Sequence, residues 1–100
     1  MQKPTTLRKG RPAGTRTFDP SIAIAFGNAV REFRTLCGVS QEELALMAQV
    51  ERSHMGKIER GEHLPNLALI IKLAAALKMA PGTLVDRTIK LLPDGSGLKS

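Results

Sequence analysis

Between Gly38 and Gly61 the chain has room for two short helices and little else. Ser40-Gln41-Glu42-Glu43 sets a hydroxyl at a helix start and a glutamate three residues on. That is the reciprocal capping box, in which each side chain satisfies a backbone N–H of the other residue. Leu44, Ala45 and Ala48 then share one face of a helix over 41–48. A second apolar set, Val50, Met55 and Ile58, predicts a helix over 51–60 that stops at Gly61. So few residues separate the two that they must cross steeply.

The flanks read as helices too. Asp19 is a good N-cap and Pro20 suits the first helical position. Ile22, Phe26, Val30, Phe33 and Cys37 recur at helical spacing, which predicts a helix over 20–37 stopped by Gly38. Asn66 caps a fourth helix over 67–78, with Leu67, Ile70, Ile71, Ala74 and Leu77 expected inside. Pro81 opens a fifth, to about residue 92. No stretch alternates with period two, so no sheet is expected. The fold class is all-α: a compact five-helix domain over 20–92, with a disordered basic N-terminal arm over 1–19 and a flexible tail over 93–100.

Charge bears on partners. The net charge is +6, and residues 1–20 hold five Lys/Arg against one acid, while 21–92 hold nine against seven. Most of the excess sits on the arm and favours an anionic partner. Cys37 is the single cysteine, so no internal disulfide exists, which suits a reducing compartment; it reads as a small apolar filler at the end of the first helix. Cys37, His54 and His63 lack finger-like spacing, so no metal or cofactor is expected; both histidines read as exposed. No apolar run is long enough for a membrane helix, and the basic start lacks the apolar stretch of a signal peptide, which leaves the cytoplasm as the expected place. No glycine-rich phosphate loop or nucleophile–base–acid set stands out, so no enzyme is expected.

Positions 52, 53, 56, 57 and 60 share one face of the helix over 51–60, opposite Met55 and Ile58. They are Arg52, Ser53, Gly56, Lys57 and Arg60. Arg and Lys can donate to the major-groove acceptors of guanine, and Ser can pair with several bases. The same face also fits an ordinary solvated helix surface.

Residues 26–85 resemble the lambda-repressor/Cro-type (XRE) helix-turn-helix family. The residues that carry the resemblance are Phe26-Gly27, Val30-Arg31, Phe33-Arg34, Gly38 through Ala45, Ile58-Glu59-Arg60-Gly61, Pro65, and Leu73-Ala74 with Leu77. The resemblance implies that Gln41 bonds a DNA phosphate and braces the reading helix. It places Arg52, Ser53, Gly56 and Lys57 where the family reads bases, and it matches Arg34 and Glu59 to a partly buried ion pair. Three positions depart from the pattern: Gln49 stands where the turn usually has Gly, Glu51 replaces a Ser or Thr cap, and Gly56 leaves no side chain in mid-helix. Gly56 is either room for a base edge or thymine methyl, or drift.

The function expected is a sequence-specific, double-stranded DNA-binding transcriptional regulator of repressor, controller or antitoxin type, with the helix over 51–60 in the major groove. The alternative is a protein-interaction module like the bridging coactivators that share the domain. A homodimer through the fifth helix is expected, with Leu91 and Leu92 exposed; a toxin is a further conceivable partner. The arm, RKGRPAGTR at 8–16, has two readings. One is phosphate contact alone. The other rests on Gly10-Arg11-Pro12, which resembles the core of a minor-groove AT-hook, with Arg11 in the groove.

Overall fold

The computed structural model describes residues 19–93. Arg11 and the rest of the arm, and the end of the tail, lie outside the described residues. Five helices follow in order: α1 Pro20–Leu36, α2 Gln41–Ala48, α3 Arg52–Glu59, α4 Leu67–Ala76 and α5 Pro81–Lys90. No strand occurs among the described residues.

The starts are set by the caps expected. The Asp19 carboxylate accepts from the Ser21 N–H at 2.8 Å, and Asn66 accepts from the Leu69 N–H at 2.9 Å. The capping box closes both ways: Glu43 N–H donates to Ser40 Oγ at 3.0 Å, and Ser40 N–H to Glu43 Oε1 at 2.8 Å.

The ends of α1 to α4 share one geometry. Each closes with paired 6→1 and 5→2 backbone bonds, as in Val50 N–H to Ala45 O and Gln49 N–H to Leu46 O. The residue in the left-handed region is Gly38 after α1, Gln49 after α2, Gly61 after α3 and Lys78 after α4. Gln49, at φ 60°, therefore takes the conformation for which glycine is usual, and the turn keeps its shape. The next residue packs back on the core after three of the helices: Val39, Val50 and Met79. After α3 that position belongs to Glu62.

The core gathers Phe26 and Val30 of α1, Leu44, Ala45 and Ala48 of α2, Met55 and Ile58 of α3, Leu73, Ala74 and Leu77 from α4 and its cap, and Leu84 of α5. α1 packs on α3 and α5, and α2 packs on α3 and α4. α1 can approach α3 closely because Gly27 faces it; a Cβ there would run into the Ile58 and Glu59 carbonyl oxygens.

Several side chains differ from expectation. Leu67 and Ile71 are exposed, because α4 turns the row Ile70, Leu73, Ala74 and Leu77 inward instead. In a helix reading LALIIKLAAA, two overlapping apolar rows compete, and packing on α2 and α5 decides between them. Cys37 is the exposed C-cap of α1 rather than a core filler. Leu92 is buried rather than exposed: α5 ends at Lys90, and a turn with a bond from Leu92 N–H to Ile89 O folds the side chain onto the body. Leu91 is half-buried and packs on the core. The apolar residues that α5 does expose are Val85 and Ile89. No single helix among the described residues is long and apolar enough to cross a membrane.

Candidate nucleic-acid interface

α3 is held from behind by two kinds of contact. Met55 and Ile58 are fully buried and seat it on the core. Beside them Glu59, 4% exposed, brings a carboxylate into the interior. Three donors meet it: Arg34 Nε on Oε2 at 2.7 Å, Arg34 Nη2 on Oε1 at 3.1 Å, and Gln41 Nε2 on Oε1 at 3.0 Å. Arg34 also donates from Nη1 to Val39 O at 3.0 Å. One carboxylate therefore ties α1, the turn after it, the first residue of α2, and α3 together. A buried charge is tolerated only when so fully paired. Arg34 and Glu59 are joined in an ion pair, and Gln41 is bonded to the same carboxylate.

The outward face of α3 carries Arg52, Ser53, Lys57 and Arg60, all exposed. Gly56 is on the same side but is covered. Were it to carry a Cβ, that atom would lie 2.9 Å from Arg60 Nη1 and 3.6 Å from Gln41 Oε1. The Arg60 guanidinium lies across the glycine, so Gly56 is not open to a base edge in this conformation.

Acids accompany these cations. Arg52 Nη1 reaches Glu42 Oε2 at 3.4 Å, a long contact between exposed groups. Arg60 grips Glu62 with two bonds, Nε to Oε2 at 2.8 Å and Nη2 to Oε1 at 3.2 Å. Hydrogen bonding to Arg60, then the charges of Arg60 and Lys57, hold the Glu62 carboxyl below its ordinary range despite some desolvation. The same bond raises Arg60. Glu51 occupies the N-cap of α3 without a side-chain cap bond.

Two further features were not foreseen. Arg87 of α5 pairs with Glu32 of α1 at 2.8 and 3.0 Å; the residues are far apart in sequence and only the packing of α1 on α5 joins them. His54, expected to be exposed, is half-buried, its ring edge-on to His63 with centroids 4.5 Å apart. Its Nε2 is buried without a hydrogen-bond partner among the described residues. His63 is exposed, as expected. Among the described residues no group of three or more His, Cys, Asp or Glu is placed to hold a metal ion.

A groove of about 600 Å³ runs between α1 and α5, lined by Leu36, Thr35, Glu32, Arg87 and Leu91 among others. None of its lining residues belongs to α3.

The helix-turn-helix family model matches residues 30–84. The control protein C.BamHI of Bacillus amyloliquefaciens is 36% identical over 69 residues, which is 68% of this chain and 85% of that protein. The crystal structure of the restriction-modification controller protein C.AhdI from Aeromonas hydrophila is similar with a TM-score of 0.61 and 44% identity, covering 62% of this chain and 94% of that one. The clp gene regulator ClgR from Corynebacterium glutamicum gives a TM-score of 0.65 at 27% identity, over 67% of this chain and 71% of that one.

Proposed function

We propose how this chain, which belongs to the helix-turn-helix family and is a DNA-binding transcriptional regulator, reads its target. α3 lies in the major groove of duplex DNA with Arg52, Ser53 and Lys57 toward base edges. Gln41 at the start of α2 and Arg60 at the end of α3 flank that face and take the phosphates. The observation that carries the reading is the two-sided build of α3: Met55, Ile58 and Glu59 fix one side, and the opposite side presents cations and a hydroxyl without an apolar patch. An interaction-only helix would expose more apolar surface there. The protein acts by binding rather than catalysis, in the cytoplasm.

The similarity to C.BamHI and C.AhdI favours control of a restriction-modification system over the repressor and antitoxin alternatives. A single reading helix spans few base pairs, and a dimer on two half-sites about 34 Å apart extends the readout. Val85 and Ile89 of α5, with Leu36 and Leu91 along the α1–α5 groove, are the surface for that dimer.

Selection of bound sequences from random duplexes tests this. The expected product is a motif of two related half-sites, and retention that weakens steeply as salt rises. Recovery of no enriched motif, with a sedimentation boundary of 10.8 kDa alone at tens of micromolar, contradicts it.

A further inference from the structure

The end of α3 differs from the ends of the other helices. Where α1, α2 and α4 return an apolar residue to the core, α3 places Glu62, and the carboxylate grips Arg60 with both oxygens. The side chain so held is still 59% exposed, but it is folded back along the helix rather than free. It lies back over Gly56, beside Gln41 Oε1, within the space a Cβ at position 56 would contest. Glycine is thus a notch that lets Arg60 lie flat along α3, against the first residue of α2. Glu62 holds the cation by its bonds, and Gly56 leaves the room it occupies on the side of α3 toward Gln41.

A carboxylate presents two oxygens to a guanidinium fork just as a phosphate does. We propose that Glu62 stands in for a DNA phosphate on Arg60 in the free protein, and that Gly56 is the notch that positions Arg60 to receive that phosphate beside Gln41. Binding exchanges one anion for the other, so Glu62 sets how strongly the protein holds DNA of any sequence. This rests on the DNA-binding reading above and adds to it a restraining residue and a positioning glycine.

The charge balance follows. In the free protein the Arg60–Glu62 pair is locally neutral. When Arg60 turns to a phosphate, Glu62 is left as an uncompensated anion near the backbone, so the exchange neutralises little net charge and releases few counterions. With Glu62→Gln the same contact neutralises a phosphate outright. The substitution should tighten binding several-fold on both a selected duplex and a random-sequence duplex, and steepen the salt dependence by about one ion. Base preference should not move, because a phosphate contact carries no sequence information.

The glycine has its own test, free of folding failure. The atom nearest a new Cβ is the tip of the long Arg60 side chain, which can move aside, and alanine suits a helix better than glycine. Gly56→Ala should therefore fold with its unfolding midpoint kept or raised. It should still weaken DNA binding several-fold, and the loss should vanish when Arg60 is already Gln. An equal loss from Gly56→Ala with and without Arg60 would mean the DNA itself approaches the glycine, and would overturn the notch. Glu62→Gln that weakens binding, alters base preference or leaves affinity and salt slope unchanged would overturn the stand-in. If wild-type protein is retained on neither duplex, the DNA reading fails as well; if it binds DNA and only these variants disagree, this inference fails alone.

Discussion

Two arginine–carboxylate pairs flank α3, and their bond lengths almost coincide. Arg34 meets Glu59 at 2.7 and 3.1 Å; Arg60 meets Glu62 at 2.8 and 3.2 Å. Their surroundings differ. The inner pair is 16% and 4% exposed, the outer pair 59% and 52%. Inside, a carboxylate stripped of water must keep all its partners, so the pair fixes where α3 sits. Outside, water and salt compete for both groups, the pair adds little to stability, and it can be exchanged for another anion. The same two-bond geometry makes a brace on one side of the helix and a replaceable contact on the other. Depth decides which.

The comparison breaks most visibly in unfolding experiments. Arg34→Met strands the Glu59 carboxylate in the interior, a loss of about 3–5 kcal/mol when one partner of a buried pair is removed. For a domain of this size each kcal/mol shifts the melting midpoint by roughly 4–8 °C. Glu62→Gln should leave the midpoint where it is. Calorimetry on both variants measures the contrast, and equal shifts would erase the distinction between the sides. Gly27→Ala sharpens the inner half by a different route. Its Cβ presses on the backbone carbonyls of Ile58 and Glu59, which cannot rotate away, so overpacking should cost about 1–3 kcal/mol. Urea unfolding reads it, and an unchanged midpoint would mean α1 and α3 have room to part.

On the outer side the readout is DNA. Arg52→Ala should cost roughly 1–3 kcal/mol of binding at the preferred site and relax base preference at one position. Competitive binding against single-base variants of that site is the check. A loss that is equal on every sequence would move Arg52 to the phosphates. The smallest effect concerns a third pair, Glu32–Arg87, intermediate in exposure at 41% and 37%. Its bond to Arg87 holds the Glu32 carboxyl below the ordinary glutamate value of 4.5. The stabilisation is complete above the unfolded value, and it is lost as pH falls through the lowered folded one. Following the Glu32 carboxyl carbon by NMR as acid is added should show a titration below that of Arg87→Gln. Coincident curves would mean that the Glu32–Arg87 pair contributes nothing measurable.

The element order was legible because three of the five helix starts carry a side-chain cap. Asp19-Pro20, Ser40 with Glu43, and Asn66 act on backbone within three residues, so the sequence alone displays them. The outward face of α3 was legible for a similar reason: five residues at helical spacing need no knowledge of the rest of the fold. What sequence did not reveal depends on neighbours. Leu67 and Ile71 belong to an apolar row as good as the one that packs, and only the position of α2 and α5 selects between them. Leu92 follows the end of α5, where a change of one residue in the stop reverses the side chain. Gly56 looked open on a helical wheel, and a wheel has no Arg60 lying over it. Glu62, next to Gly61, gives no signal in the sequence, because its partner is set by the turn rather than by helical spacing.

The turn after α2 has a consequence for how the protein meets its target. Gln49 sits at φ 60° and ψ 46° where a residue with a side chain is strained on the order of 1–2 kcal/mol. Against this, a glycine there would give the unfolded chain extra freedom, a penalty of about 0.4–1 kcal/mol for the folded state. The two nearly offset, so stability says little about which residue belongs there. Stiffness says more. A glycine can swing between left- and right-handed backbone, and a side chain narrows the left-handed region to a small basin, so glutamine cannot drift out of it gradually. Together with the two backbone bonds of the turn and Val50 packed on the core, this ties α2 to α3 in the free protein. If α3 reads DNA as proposed, this part of the reading surface would be in place before the duplex arrives, and less ordering entropy would be spent on binding.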